Sequence, residues 1–260
     1  MSFKLEKKPP PYIGVTGFTH RNQIIAAIKT IPRRAQYRLM AGILVSSKTM
    51  DGQTNRFPAR YPHWEDIPGI PVSDPRVLNL AHFATKRPER LAEDMDVIMN
   101  HAANLDGIQL NMAWPDPKQL AEFRIVHDDA VIVLQIGAKA FAEVGEKNHQ
   151  RLAAWLYYTY GSVINYALLD PSGGLGLSLS ANLMGEQLLA IEQHNPVFGM
   201  GIAGGLKAVA LPGIKGLCKE FPNISIDAEG GLRTKDSRDL LDKDQVYGYL
   251  MQAYDMLDGL

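Results

Sequence analysis

The sequence predicts a (β/α)8 barrel, an α/β fold in which eight parallel strands are each followed by a helix. Apolar runs that suit buried strands recur about every 25 to 35 residues, with helical stretches between them. Three late runs, at residues 163–176, 197–206 and 224–233, each end in a glycine-rich turn. The alternative is an open doubly wound sheet, which usually has fewer strands and an early glycine fingerprint. Because the glycines here cluster late, the barrel is favoured.

Each predicted strand is an apolar run of strand length that stops at turn-forming residues. In chain order, the predicted strands cover residues 12–18, 38–47, 76–83, 105–112, 130–137, 162–170, 196–205 and 223–231. The predicted helices occupy the longer stretches between strands and the stretch after the last one. They cover residues 21–30, 88–104, 117–126, 147–160, 183–193, 206–220 and 245–257.

Composition fits one barrel domain over residues 1–260, with a long loop at 50–75 after strand two. The chain has 46% hydrophobic residues and a net charge of -1, so it has no basic field for nucleic acid. Its first residues lack an apolar stretch, so we expect no secretory signal. A single cysteine, Cys218, suits a reducing compartment. We expect a cytoplasmic monomer or homodimer without membrane contact, cofactor or metal.

The three glycine-rich turns predict a site for an anion. Glycine allows positive φ and close approach to a ligand, and backbone amides before a helix can hold a negative group. Loops that follow neighbouring strands meet at the same end of a barrel. Tight turns that bind nothing are the alternative interpretation.

Five short segments occur in chain order at or after predicted strands. They are GFTH after strand one, IQLN at strand four, LLDPSGGLG at strand six, GIAGGL at strand seven and SIDAEGG at strand eight. Together they resemble the motifs of phosphoribosylanthranilate isomerase, an enzyme family of tryptophan biosynthesis. The resemblance spans nearly the whole chain. Its most specific parts are LLD with the glycine loop and the AGGL segment.

The resemblance implies a sugar-phosphate isomerase that performs an Amadori rearrangement. A general acid protonates the ring oxygen of an amino-ribose phosphate, the ring opens, and a general base removes the C2 proton. The family's acid corresponds to Asp170 here. The residues support this role separately, because Asp170 follows an apolar strand at the end where barrel chemistry occurs. A turn cap in the DPSGG sequence is the alternative.

The family's base is a cysteine on strand one, and this chain has Thr16 there. A hydroxyl does not ionise near neutral pH, so Thr16 is a poor proton acceptor. Cys218 belongs to the opposite end of the barrel and is expected to be an inert core residue. His20 is the nearest alternative base in sequence, although it also suits the start of the first helix. Other groups near this end are Asp51, His82, Asp227 and Glu229.

The resemblance also implies which backbone amides hold the phosphate. They belong to Gly174, Gly176, Gly204, Gly205, Gly230 and Gly231. Glu229 stands where the family usually has serine, and its charge would repel a phosphate. Either Glu229 points away or the ligand differs, and Arg233 is a candidate to compensate.

The loop at 50–75 is long enough to be a lid or binding loop, or a surface loop that packs on the barrel. Its candidate ligand contacts include Arg56 and Arg60, beside Tyr61, His63 and Trp64. Further possible substrate contacts are Lys48, Gln109, Asp227 and Glu229.

Three functions remain open from sequence. The first is an isomerase for a small phosphorylated or otherwise anionic ligand, possibly with an altered substrate. The second is a binding barrel without catalysis, which the loss of the cysteine favours. The third is a Schiff-base aldolase that uses Lys48, although an exposed lysine is the simpler interpretation.

Overall fold

A closed barrel of eight parallel strands forms the centre of the molecule in this computed structural model, which describes residues 7–144, 148–171 and 181–258. Every strand pairs in parallel with the next one, and the last pairs with the first. The predicted barrel is therefore confirmed, and the open doubly wound sheet is excluded. The strands are β1 (Tyr12–Thr16), β2 (Arg38–Ser46), β3 (Val77–Ala84), β4 (Gly107–Leu110), β5 (Val131–Gly137), β6 (Tyr166–Asp170), β7 (Gly199–Ala203) and β8 (Ser225–Ala228).

Helices surround the barrel and bury their apolar sides against the outer faces of the strands. They are α1 (Arg21–Ile28), α2 (Ser47–Met50), α3 (Leu91–His101), α4 (Pro117–Val126), α5 (Ala138–Val144), α6 (His149–Trp155), α7 (Ala181–Glu192), α8 (Lys215–Glu220) and α9 (Lys243–Asp258). The sequence analysis did not predict α2 or α5. It also predicted one helix at 206–220, where a 3-10 helix at Ala208–Ile214 precedes α8. Proline at 212 has no backbone N–H to donate, which disfavours a regular α-helix there.

The loop at 50–75 divides into two parts. A 3-10 turn at Pro58–Arg60 lies in its first half, and a 3-10 helix at Trp64–Gly69 begins the second half, which packs on the outside of the barrel with Ile67, Ile70 and Val72 buried. Trp64 stacks on His101 of α3 with the ring centroids 3.8 Å apart. The second half of the loop therefore agrees with the prediction of a surface loop that packs on the barrel. It occupies the position between β2 and β3 where a long helix would otherwise lie. The first half leads to Arg60 at the barrel mouth.

Two apolar layers hold the barrel together. The larger one lies between the strands and the helices, and a smaller one fills the barrel's amino-terminal half. There the rings of Tyr12 and Tyr166 meet edge to face at 5.1 Å. Over the described residues, no helix is both long and apolar enough to cross a membrane.

Gly107 permits a close contact between β4 and β5 in the barrel wall. A Cβ at this position would lie 1.9 Å from the backbone oxygen of Val131, which cannot move without disturbing β5. We expect Gly107→Ala to lower the free energy of unfolding by about 1 to 3 kcal/mol, the usual range for overpacking. Urea denaturation would measure this. Gly137→Ala is the matched control, because a Cβ there meets no atom within 4 Å. Equal stability of the two variants would contradict the prediction.

Candidate functional site

Polar side chains line the inside of the barrel at its carboxyl end, the end where barrel enzymes place their active sites. The strand registers and the regular stagger of an eight-stranded barrel arrange them in layers. One layer contains Gln109 of β4 and Asp227 of β8, on opposite sides of the barrel. The next layer toward the mouth contains Thr16, His82, Gln135 and Ala203, and Asp170 lies one residue nearer the mouth.

Gln109 and Asp227 close the floor of this site. Gln109 Nε2 donates a hydrogen bond across the barrel to Asp227 Oδ2 at 3.0 Å. Thr16 Oγ1 lies 3.3 Å from Asp227 Oδ1 and 3.5 Å from Oδ2. Gly14 makes room for the carboxylate, because a Cβ at this position would lie 2.6 Å from Asp227 Oδ1. Thr16 on β1 is therefore in contact with a carboxylate from β8.

Burial strongly affects the acidity of Asp227. The pKa of the carboxyl is raised to about 7, mainly because burial removes it from water; the nearby charges of Glu229 and Asp170 contribute to the rise, whereas hydrogen bonds from Gln109 and Thr16 oppose it. A carboxyl with a pKa near 7 is partly protonated and partly ionised at neutral pH. It is suited to both accept and return a proton.

Asp170 stands at the end of β6, as predicted, with its side chain buried at 3% exposure. Gln135 Nε2 donates to Asp170 Oδ2 at 2.8 Å, and Gln109 Nε2 lies 3.5 Å from Gln135 Oε1. Asp170 and Asp227 are thus connected by successive side-chain contacts through Gln135 and Gln109. The sequence analysis missed Gln135. A polar residue inside the apolar run VIVLQIG was the signal that could have identified it.

Four charged side chains meet at the barrel mouth. Arg60 donates to both carboxylate oxygens of Asp239, at 2.5 and 3.2 Å, and to Glu229 Oε1 at 3.2 Å. Arg233 is buried behind them, and its Nη1 donates to the backbone oxygen of Asp239 at 3.1 Å. Glu229, the unexpected acid at the predicted phosphate site, therefore has a guanidinium partner. Asp239 was not among the predicted site residues.

The backbone angles or the close packing require glycine at some, but not all, of the positions predicted to hold the phosphate. Gly204 and Gly205 have φ values of 116° and 63°, which other residues rarely adopt. Gly231 is needed because a Cβ there would lie 2.4 Å from the backbone oxygen of Leu206 in the preceding turn. Gly230 lies beside it in a 3-10 turn. Gly174 and Gly176 lie outside the described residues.

Several predicted site residues are not part of this polar cluster. His20 is exposed at the start of α1, where Gln23 Oε1 accepts from its backbone N–H at 3.1 Å. Lys48 is exposed on α2, and Arg56 is exposed with its guanidinium 5.1 Å from the ring of Phe57. Cys218 is buried in α8, and burial raises the pKa of its thiol to about 11. Among the described residues, no three His, Cys, Asp or Glu side chains form a group suited to a metal ion.

Solved structures with this architecture have low sequence identity to the chain. Phosphoribosyl anthranilate isomerase from Thermotoga maritima matches with a TM-score of 0.62 at 16% identity, covering 96% of this chain and 100% of that one. A phosphoribosyl anthranilate isomerase bound to reduced 1-(o-carboxyphenylamino)-1-deoxyribulose 5-phosphate has a TM-score of 0.61 at 15% identity, with the same coverage.

Tryptophan synthase subunit alpha from Legionella pneumophila matches with a TM-score of 0.59 at 14% identity, covering 96% of this chain and 92% of that one. No protein-family model matches the sequence, and no curated protein sequence does so either. At these identities, the structural matches show a shared (β/α)8 fold.

Proposed function

We propose that this protein is an isomerase that transfers a proton within a small phosphorylated sugar, with Asp227 as the base. The observation that carries the proposal is the contact between Thr16 and Asp227. The strand-one position that resembles the family's cysteine holds a weak acceptor here, and a buried carboxyl with a pKa near 7 lies 3.3 Å away. Asp227 thus supplies the proton acceptor that Thr16 lacks.

Asp170 has the role of general acid in this proposal. It lies on the rim of the same site and is joined to the floor through Gln135 and Gln109. One carboxyl then protonates an oxygen of the substrate while the other removes a proton from carbon. This is the division of labour that an Amadori-type rearrangement requires, with both groups on rigid strands.

The ligand's phosphate is assigned to the turns after β7 and β8, with Arg233 and Arg60 supplying positive charge. Glu229 and Asp239 both pair with Arg60, and the negative charges of these two residues also act on Arg233. A phosphate that enters must therefore compete with Glu229 for Arg60. This competition favours a doubly charged anion over a carboxylate, since the dianion interacts more strongly with both arginines.

Hydrogen exchange tests the proposed proton transfer without requiring the natural substrate. D-ribulose 5-phosphate incubated with the protein in D2O should lose proton signal next to its carbonyl, as followed by NMR. Asp227→Asn should slow this exchange by about 10² to 10⁴-fold. Asp129→Asn, an exposed acid before β5, is the control. Binding of the sugar phosphate without any exchange would instead support the binding-barrel alternative.

Replacement of Thr16 by cysteine separates the two possible bases. If Asp227 already acts as the base, Thr16→Cys should change the exchange rate by less than about tenfold, because the new thiol adds no needed function. The same NMR measurement gives the rate. An increase of about 100-fold would show that the missing thiol limits the reaction and that Asp227 is not its replacement.

Gly17 provides a test of the phosphate assignment. Its φ is 116°, and a Cβ would lie 2.1 Å from Arg233 Nη2, so Gly17→Ala should displace the guanidinium. We expect binding of inorganic phosphate, measured by calorimetry, to weaken about tenfold, the loss of one charge-assisted hydrogen bond. Gly52→Ala is the matched control, because Gly52 also has positive φ but no atom lies within 4 Å of its Cβ position. Unchanged phosphate affinity in Gly17→Ala would remove Arg233 from the site.

A further inference from the structure

His82 is a buried histidine inside the barrel that the proposed proton transfer does not yet use. It follows Leu78 and Leu80 at alternate positions of β3, and both of these leucines belong to the interior apolar cluster. His82 therefore faces the interior, in the same layer as Thr16 and Gln135. Its exposure is 2%.

Neither ring nitrogen of His82 has a hydrogen-bond partner among the residues that the structure describes. A neutral imidazole carries one N–H donor and one acceptor, and leaving them unpaired in a buried site costs free energy. A ligand or an ordered water can supply the missing hydrogen-bond partners. Its neighbours in space are the polar groups of the site.

The chemistry of His82 suits an uncharged donor. Burial lowers the pKa of its imidazole, and this effect is opposed by the negative charges of Glu229 and Asp170 and reinforced by Arg233. The ring shares its layer with the polar side chains of Thr16 and Gln135 and with the small side chain of Ala203. A ligand above the Gln109 to Asp227 floor would therefore lie next to the imidazole.

We propose that His82 donates a hydrogen bond to the ligand's carbonyl oxygen, next to the carbon from which Asp227 removes a proton. This assignment rests on the proposed function. The C–H bond breaks, its proton goes to the Asp227 carboxylate, and the electron pair moves through the carbon–carbon bond onto the carbonyl oxygen. The N–H of His82 stabilises the negative charge on that oxygen until Asp170 protonates it.

Two substitutions at His82 distinguish this role from a packing role. His82→Leu removes the donor and should lower kcat for deuterium exchange into D-ribulose 5-phosphate by about 100-fold, with KM changed less than about threefold, because the phosphate contacts remain. His82→Gln keeps an N–H donor of similar reach and should retain a rate within about tenfold of the original protein. His127→Gln is the control, since His127 lies before β5 and contacts Asp96 at 2.8 Å.

NMR of the protein with ¹⁵N-labelled histidine gives a readout that does not require turnover. The imidazole signals missing in His82→Gln belong to His82, and 10 mM D-ribulose 5-phosphate should shift them while those of His127 stay in place. A shift without deuterium exchange would retain the His82 contact and contradict the proposed isomerase. Unshifted His82 signals, or exchange at the original rate in His82→Leu, would overturn the inference. If His82→Leu fails to fold, His82→Gln and the NMR titration still decide it.

Discussion

Asp227→Asn is expected to make the protein more stable at pH 8, by up to about 4 kcal/mol, while leaving its stability at pH 4 nearly unchanged. The folded state holds this carboxyl with a pKa of about 7, against about 3.9 in an unfolded chain. Between pH 4 and pH 7 the folded protein therefore binds more protons than the unfolded one. Its stability must fall as the pH rises through this range.

Asparagine removes that dependence, because it has the shape of aspartate without the ionisation. Its side-chain oxygen can still accept from Gln109 Nε2. Urea denaturation of both proteins at pH 4, 6 and 8 would measure the difference, which should grow with pH. Asp236→Asn is the control and should show almost no trend between pH 4 and 8, since hydrogen bonds from Arg238 lower the pKa of Asp236 to about 2 and its titration lies below this range. An equal effect of Asp227→Asn at every pH would contradict the raised pKa.

Arg124→Met is expected to destabilise the protein by about 3 to 5 kcal/mol, because several buried oxygens lose their donor at a cost of about 1 to 3 kcal/mol each. The guanidinium of Arg124 is buried at 1% exposure and donates to the backbone oxygens of Val163 and Ala130, both at 2.9 Å. It also donates to the side-chain oxygen of Asn165, which accepts from the backbone N–H of Ile132. Methionine fills the space but leaves these carbonyls without a donor.

Thermal or urea unfolding of Arg124→Met would test this, with Arg151→Met on the exposed side of α6 as the control. The control should change stability by less than about 0.5 kcal/mol. Because Arg124 joins α4 to the segments before β5 and β6, at the amino end of the barrel, the ligand site should be intact in the folded fraction. A loss below about 1 kcal/mol would mean that water replaces the guanidinium at these oxygens.

The barrel could be predicted because each strand corresponds to a short apolar run in the sequence. Runs such as AVIVLQIG are apolar throughout, and the recurrence of such runs indicates alternating strands and helices. The predicted starts of β6 and β7 were too early, since residues 162–165 and 196–198 lie before those strands. In the first case Val163 donates its backbone N–H to Tyr160, which ends the preceding helical turn. Apolar composition alone does not distinguish a buried turn from a strand.

The site was only partly predictable because its key contacts join distant parts of the chain. Asp170 was predicted from the resemblance and, separately, from its position after an apolar strand, and both are local signals. The role assigned to Asp227 depends on Thr16, which is 211 residues away and becomes its neighbour only when β8 closes against β1. Arg60 and Asp239 are 179 residues apart, and nothing local in either segment indicates their pairing. Such contacts follow from closure of the barrel.

The missing side chain at residue 14 constrains the order in which this site can have evolved. A Cβ there would lie 2.6 Å from Asp227 Oδ1 and 2.8 Å from the end of Met40, so the acid at 227 holds its present position because residue 14 is glycine. A larger residue at position 14 would push the carboxylate away from Thr16 and Gln109. Reconstructed ancestral sequences should therefore contain the glycine no later than the aspartate.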